Sequence, residues 1–209
     1  MIYFTSDNHF DHANIIKYCG RTIYMTPEDL ATYNKVKNLS REEQRKFMIS
    51  KESVKNMNSS QIKNWNEIVV KGDTVIQIGD FCLSKSSEAP DALKDPFNYF
   101  KERLNGNIVF VQGNHDHNNK NKTIIESMVI YYGGHRIYVT HNPYFCNTNY
   151  KLNFVGHIHT EWKFKRYRKG ESFTDCCNVG VDVWNFRPVT INQILSEYHR
   201  WLKTEAVNE

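Results

Sequence analysis

The sequence predicts an α/β fold, and two observations carry this prediction. Short runs rich in β-branched and aromatic residues recur along the chain and have the composition of buried strands. Stretches with apolar residues at helical spacing lie between these runs. Strands and helices that alternate in this way are typical of sheets covered by helices.

Four strand-like runs share one feature, which is that polar residues follow each of them closely. The runs and their polar continuations are Ile2–Thr5 with Asp7 and His9, Thr74–Ile78 with Asp80, Ile108–Val111 with Asn114, and Asn153–Val155 with His157 and His159. A fifth run, Arg136–Thr140, ends at His141. We expect it to form a hairpin with residues 129–132, because Gly133 and Gly134 suit a tight turn.

Helices are predicted between and after the strands. Residues 59–67 place Ile62 and Trp65 at helical spacing. Residues 92–104 form a second helical stretch, and the residues after Asn192 form an amphipathic one. The last of these is expected to pack on the body of the protein.

The segment 26–57 is polar and is also predicted to be helical. Thr26, followed by proline, is typical of a helix start, and Ser40 with Glu43 matches a capping box. We expect this segment to be an insertion or a lid on a single domain that spans residues 1–209, because that length is within the usual range for one domain.

Charge and cysteine content limit the functional classes. The net charge of +4, from 27 basic and 23 acidic residues, favours an anionic substrate but lacks the bias of a dedicated DNA-binding arm. The five cysteines form no CxxC pair, so we expect reduced thiols and a cytoplasmic location. Since no apolar stretch approaches the roughly 20 residues of a membrane span, neither a membrane anchor nor a signal peptide is expected.

The polar motifs after the strands contain seven side chains of the kinds that bind metal ions. Loops at the carboxyl ends of neighbouring strands meet at one edge of a sheet, so we expect these side chains to lie together. Imidazole nitrogens with carboxylate and amide oxygens suit zinc, manganese, iron or nickel better than calcium. The seven are Asp7, His9, Asp80, Asn114, His141, His157 and His159.

The order of these motifs, which is DxH, GD, GNHD, a lone histidine after a strand, and GHxH, resembles the calcineurin-like metallophosphoesterase superfamily, and in particular its small bacterial and phage-type members. The resemblance spans residues 1 to about 185. It implies two sheets packed as a sandwich and flanked by helices, in four layers α/β/β/α. The protein Ser/Thr phosphatases of this superfamily usually continue the GD motif as GDxVDRG, whereas Asp80 is followed here by Phe-Cys-Leu-Ser. Specificity for phosphoproteins is therefore not implied.

The resemblance also implies a role for each predicted ligand, with two divalent metal ions as cofactors. The first ion would be bound by Asp7, His9 and His159 and the second by Asn114, His141 and His157, with Asp80 between them. Manganese is the first choice of metal, with iron, zinc and nickel as alternatives. Two such ions neutralise a phosphate ester and lower the pKa of a bridging water, which then attacks phosphorus. His115 would be the catalytic residue that protonates the departing oxygen.

Further candidates lie near these motifs. Arg21 could clamp a phosphate, the alternative being a surface arginine without a role. Trp184 and Arg187 are candidates for binding a base or a phosphate, although packing in the core is favoured for Trp184. Asp11, His12, Asp116 and His117 flank the ligands and could orient them, but exposed loop positions are favoured for the two histidines.

The predicted function is hydrolysis of a phosphoester substrate, and a phosphodiester of nucleotide type is favoured. The alternatives are a phosphomonoesterase, a nuclease and a non-catalytic metal-bound scaffold. A nuclease would use the basic and aromatic residues of segment 162–169, which otherwise form a solvated hairpin. A membrane partner is not expected, and the oligomeric state has no signature in the sequence.

Overall fold

Two β-sheets form the centre of the structure, which is a computed structural model that describes residues 1–83, 95–116 and 123–208. The strands are β1 (Ile2–Thr5), β2 (Thr74–Ile78), β3 (Asn107–Val111), β4 (Ser127–Tyr132), β5 (His135–Thr140), β6 (Leu152–Val155), β7 (Phe164–Lys169), β8 (Ser172–Asn178) and β9 (Val189–Thr190). The helices are α1 (Ala13–Tyr18), α2 (Pro27–Val36), α3 (Arg41–Lys46), α4 (Lys51–Asn66), α5 (Pro96–Lys101) and α6 (Ile191–Asn208).

The first sheet has the strand order β3-β2-β1-β9. Strands β1, β2 and β3 are parallel, and β9 pairs with β1 in the antiparallel direction. The register places Phe4 beside Ile76 and Ile76 beside Val109, so the three parallel strands end at the same level. The loops that follow them therefore leave the sheet side by side.

The second sheet has the strand order β4-β5-β6-β8-β7 and is mixed. Strands β5, β6 and β8 are parallel, while β4 and β7 are antiparallel to their neighbours. The predicted hairpin of β4 and β5 is present, and Gly133 and Gly134 have φ angles of 55° and 81°. A second hairpin, formed by β7 and β8, contains the basic segment that the sequence analysis described.

The two sheets share a core. The Phe4 ring of the first sheet meets the Phe154 ring of the second edge-on, with their centres 5.0 Å apart. Residues of α6, including Ile194 and Tyr198, belong to the same cluster of buried side chains. On the other face of the first sheet, Tyr3 packs in a separate cluster with residues of α4 and α5. Both faces of this sheet are thus buried, as its nearly continuous apolar strands require. The prediction of an α/β fold with two sheets flanked by helices is confirmed.

Segment 26–57 contains the predicted helices. The side chain of Thr26 caps α2, and Ser40 and Glu43 form the predicted capping box of α3. The helix predicted at residues 59–67 begins earlier, at Lys51, because the side chain of Ser50 caps it. The segment packs on α1 through buried side chains that include Ile49, Val54 and Met57. Whether this segment closes over a substrate as a lid stays a prediction.

The remaining helices agree with the sequence in part. The helix predicted over residues 92–104 is α5, which spans Pro96–Lys101 and is capped by Asp95. Residues 92–94 of the predicted helix lie outside the described residues. The amphipathic helix predicted after Asn192 is α6. Within the described ranges, none of the helices has the length and apolar character needed to cross a bilayer.

Candidate metal centre

The seven predicted ligands lie together, but they come from two sheets rather than from one edge of a single sheet. Asp7, His9, Asp80 and Asn114 follow the parallel strands of the first sheet, whereas His141, His157 and His159 follow β5 and β6 of the second. The apolar runs look alike in the sequence, so their spacing could not assign them to different sheets. The ligand loops meet where the two sheets adjoin.

Two groups of these side chains have the geometry of metal sites. Asp7, His9 and His159 form the first group, and Asp80, His141 and His157 form the second. In each group one ligand atom from every residue lies within 4.8 Å of the others.

Asn114 contacts the second group. Its Oδ1 atom is 3.1 Å from Nε2 of His141 and 2.8 Å from Nδ1 of His157. An amide oxygen in this position adds a fourth candidate ligand to the second group.

Asp80 lies between the two groups. Its Oδ2 atom is 3.4 Å from Nε2 of His9, in the first group, and 3.3 Å from Nε2 of His141, in the second. Its Oδ1 atom accepts a hydrogen bond of 2.8 Å from the backbone N–H of His115, which fixes the orientation of the carboxylate. One carboxylate is therefore positioned to serve two ions.

The residues of both groups fit divalent metal ions. Nε2 of His9 is buried and has no hydrogen-bond partner among the described residues, although buried polar atoms are normally paired. Burial also lowers the pKa of His9 well below its usual range, so the imidazole is neutral and can donate its lone pair. A centre of histidines and aspartates with such an unpaired nitrogen suits a borderline transition metal.

The pKa values of Asp80, His141 and His159 are shifted from their usual ranges. Burial works to lower the pKa of His141, but its hydrogen bond to Asp80 and the charge of Asp7 raise the pKa to about 9. Burial would raise the pKa of Asp80, but its contact with His141 holds that pKa below its usual value. Burial would lower the pKa of His159, but its hydrogen bond to Asp182 raises that pKa to about 10.

Five of the seven predicted ligands have a left-handed backbone. The φ angles are 58° for Asp7, 50° for His9, 55° for Asp80, 74° for His157 and 48° for His159. A positive φ is uncommon outside glycine and persists only where the surrounding structure holds it. The backbone of these loops is therefore strained at the ligand residues, and this conformation directs their side chains toward the two candidate metal sites.

His115 is exposed, and its ring centre lies 5.1 Å from that of His9. Its catalytic role stays a prediction. His12 differs from the favoured prediction of an exposed loop histidine, because it is half-buried and its Nδ1 is 3.2 Å from Nδ1 of His9. Burial lowers the pKa of His12 to about 4. His117 lies outside the described residues.

Asp116 joins two of the ligand loops. Its carboxylate accepts hydrogen bonds from the backbone N–H groups of Asp80, Phe81 and Gly113, at 2.8 to 3.2 Å. The loops after β2 and β3 are thus held together by a buried carboxylate, and these hydrogen bonds come from the backbone and not from a ligand imidazole.

Arg21 is neither the phosphate clamp nor the surface arginine that the sequence analysis considered. Its side chain is buried, and the guanidinium pairs with Asp182 at 2.7 and 2.8 Å. The prediction of a substrate contact is wrong for this arrangement, because the donors face the interior. Asp182 was missed by sequence reasoning, although it lies in the N-V-G-V-D stretch that follows β8.

The other two candidates for substrate binding differ from each other. Trp184 is buried, and its indole N–H donates to the carbonyl of Asn178, in agreement with the favoured alternative of core packing. Arg187 is partly exposed and pairs with Glu67 at 2.6 Å. Its contact with a substrate stays a prediction.

A cleft of about 440 Å³ opens beside the second group. Asn114 and His141 lie on its wall, together with the aromatic side chains of Tyr138 and Phe145. Phe145 is 63% exposed, so its ring is accessible to a ligand in the cleft.

Comparisons with known proteins assign the chain to a family. A model of the calcineurin-like phosphoesterases matches residues 1–206. The chain belongs to this family. The resemblance inferred from the order of the motifs is thereby confirmed, and membership of this family implies a phosphoester substrate.

Two relatives are similar over nearly the whole chain. An uncharacterised protein of Methanocaldococcus jannaschii, MJ1445, is 32% identical over 214 residues, which cover all of this chain and 97% of that protein. The crystal structure of AQ665, a protein of unknown function from Aquifex aeolicus, has a TM-score of 0.58 at 19% identity and covers 94% of this chain and 98% of that one. The second likeness supports the fold alone, and neither relative names a substrate.

Proposed function

We propose that this calcineurin-like phosphoesterase uses two divalent ions to hydrolyse phosphodiesters of nucleotide type. The observation that carries the proposal is the position of Asp80, whose Oδ2 atom lies within 3.4 Å of a histidine of each group. Two bound ions supply charge neutralisation for the phosphate and a water of lowered pKa. Manganese is the proposed metal, with iron, zinc and nickel as the alternatives that the same ligands accept.

The chain itself supplies the proton for the leaving group in this proposal. His115 is exposed beside His9 and is tethered to Asp80 through its backbone N–H. An imidazole in that position can donate a proton to the departing alkoxide near neutral pH. This assistance matters most for esters with poor leaving groups, such as the alkoxide of a nucleoside.

The preference for a nucleotide-type diester is supported by the cleft beside the second group. A base could stack on Phe145 or Tyr138 while its phosphate reaches His141 and Asn114. Stacking on one aromatic side chain contributes about 1–3 kcal/mol per base.

A nuclease is a less favoured alternative, because part of the basic hairpin is already used inside the protein. Arg166 pairs with the buried carboxylate of Asp175 at 2.7 Å. Lys163 pairs with Glu197 and lies 3.5 Å from the centre of the Trp184 ring. These two residues are not free to follow a nucleic-acid backbone.

The proposal is tested by reloading metal-free protein with one cation at a time and measuring hydrolysis of bis(p-nitrophenyl) phosphate and p-nitrophenyl phosphate. We expect the diester to be the better substrate by kcat/KM, and nucleotide diesters, including cyclic nucleotides, to be cleaved. A larger kcat/KM for the monoester would overturn the diesterase assignment and leave a phosphomonoesterase.

The role of His115 needs a separate comparison. We expect His115→Ala to retain both ions and to lose about 10²–10⁴-fold in kcat on substrates with poor leaving groups, with a smaller loss for p-nitrophenolate esters. His199→Ala, at an exposed position on α6, is the control and should behave as the wild type. Equal losses for all leaving groups would remove the general-acid role.

The scaffold alternative makes the opposite prediction for Asp80. Asp80→Asn should abolish hydrolysis while the protein remains folded, because the amide cannot supply a charged oxygen to both groups. Wild-type protein that binds two ions and cleaves none of these phosphoesters would instead support a metal-bound scaffold.

A further inference from the structure

A buried ion pair lies directly behind the first group of candidate ligands. Nε and Nη2 of Arg21 donate to the two carboxylate oxygens of Asp182 at 2.7 and 2.8 Å. The side chain of Arg21 is 0% exposed and that of Asp182 is 1% exposed. A bidentate pair of this kind fixes the carboxylate in both position and orientation.

The same carboxylate contacts a candidate metal ligand. Oδ2 of Asp182 is 2.9 Å from Nδ1 of His159. Since Nδ1 is taken by this contact, Nε2 is the ring nitrogen left for an ion. A carboxylate on the far nitrogen of a ligating histidine sets the tautomer and the ring orientation, and removal of such a partner typically costs 10–100-fold in metal affinity.

Arg21 also reaches the loop that carries the other two residues of the group. Nη2 donates to the backbone carbonyl of Asp7 at 2.7 Å, and Nη1 donates to that of Asn8 at 3.0 Å. Asp7 and His9 on this loop have positive φ angles, which the surrounding contacts must hold in place. One arginine thus connects the loop after β1 to His159, in the other sheet, through Asp182.

We propose that Arg21 and Asp182 are positioning residues for the first metal site, and that they set the affinity of that site separately from the second. The hydrogen bonds described for the pair reach Asp7, Asn8 and His159 but none of the candidate ligands of the second group. The inference rests on the proposed dinuclear centre.

The test requires a variant that stays folded. Replacing one partner leaves a buried, unpaired charge and is strongly destabilising, whereas replacing both with apolar residues is often tolerated. The main variant is therefore Arg21→Met with Asp182→Leu. Arg21→Lys is the second variant, because lysine keeps the charge beside Asp182 but lacks the fork that also binds the two carbonyls.

The chain offers a matched control in Arg166 and Asp175. This pair has the same bidentate geometry, with Nε of Arg166 2.7 Å from a buried aspartate oxygen, but it lies in the hairpin of β7 and β8. The control variant, Arg166→Met with Asp175→Leu, removes an ion pair of the same kind without touching the candidate ligands.

Metal binding is measured by chelator competition and by the manganese electron paramagnetic resonance spectrum, which distinguishes a coupled pair of ions from a single ion. References for the loss of one site are His9→Ala for the first group and His141→Ala for the second. We expect the main variant and Arg21→Lys to lose at least about 10-fold in affinity at one site. Their spectra at limiting manganese should match His9→Ala, while the control variant retains two coupled ions.

Three outcomes would overturn the inference. One is unchanged affinity at both sites in a folded variant of Arg21, and another is an equal loss at both sites. The third is a wild-type protein that binds fewer than two ions. A wild type that binds two ions but hydrolyses no phosphoester would instead contradict the proposed function alone, because the affinities of the variants could still be compared.

Discussion

Gly156 precedes His157 at a point where two loops touch, and its replacement by alanine should damage both the fold and the first metal site. A Cβ atom at this position would lie 2.0 Å from Oγ of Ser6 and 2.6 Å from Oδ2 of Asp7. Non-bonded heavy atoms pack at about 3.5 Å, so Oγ of Ser6 and the Asp7 carboxylate would have to move away by about 1.5 Å and about 1 Å, which pushes the two loops apart.

The cost follows from the contacts that such a separation would break. Overpacking of a buried site costs about 1–3 kcal/mol. The Ser6 hydroxyl donates to the carbonyl of Ile78 at 2.6 Å, and losing that hydrogen bond adds about 1 kcal/mol. We therefore expect Gly156→Ala to lower the free energy of unfolding by about 2–4 kcal/mol, which corresponds to roughly 5–15 °C in Tm.

The effect on metal binding follows from Asp7. Both carboxylate oxygens of Asp7 accept from the backbone N–H of His157, at 3.0 and 2.9 Å, so a displaced Gly156 moves this carboxylate. We therefore expect Gly156→Ala to lower the metal affinity of the first site as well as the stability of the protein. Gly72→Ala is the control, because its Cβ would meet no described atom within 4 Å, and its Tm should stay near that of the wild type.

Thermal unfolding of the metal-free protein, followed by metal titration, measures both effects. The reasoning is refuted if Gly156→Ala unfolds within about 0.5 kcal/mol of the wild type and binds both ions with unchanged affinity. A loss of stability in Gly72→Ala equal to that in Gly156→Ala would also refute it, since the close approach would then not be the cause.

Three further predictions concern protons, a buried carboxylate and a surface arginine. His141 and His159, with pKa values raised to about 9 and 10, carry protons at pH 7 in the metal-free protein, and ligating imidazoles must be neutral. Metal loading should therefore release about two protons at pH 7, and metal affinity should rise with pH up to about 9–10. Calorimetry in buffers of different ionisation enthalpy measures the number of protons released. If no protons are released, His141 and His159 are not metal ligands that lose a proton on binding. Asp116→Ala leaves three backbone N–H groups without their carboxylate and should lower the free energy of unfolding by about 2–4 kcal/mol in urea titrations, whereas a change below about 0.5 kcal/mol would mean that water replaces it. Arg187→Ala should change stability by less than about 1 kcal/mol, because its ion pair with Glu67 is partly exposed, and an unchanged KM in steady-state kinetics would end its assignment as a substrate contact.

The sequence predicted the elements well where the chemistry is local. The capping box of Ser40 and Glu43 lies within one helical turn, and the β4–β5 hairpin needs only the glycine pair and its flanking strands. The polar residues after the strands were also identified correctly as neighbours, but the expected reason, one shared sheet edge, holds only for the ligands that follow β1, β2 and β3.

Contacts between distant parts of the chain could not be predicted in this way. Arg21 and Asp182 are 161 positions apart, and no spacing rule connects them. A charged arginine is normally exposed, so its burial was unexpected before its partner was known. The exposed position favoured for His12 was wrong for a different reason, because His12 is only three residues from His9 and the two rings meet through a turn before α1 that was not predicted.

Each candidate metal site takes residues from both sheets. His159 of the second sheet joins Asp7 and His9 of the first, and Asp80 of the first joins His141 and His157 of the second. A bound ion would thus be a cross-link between the halves of the sandwich, and neither site could form before the sheets have docked. Metal uptake during refolding would therefore report the docking of the two sheets, and removal of the metal would weaken the contact between them.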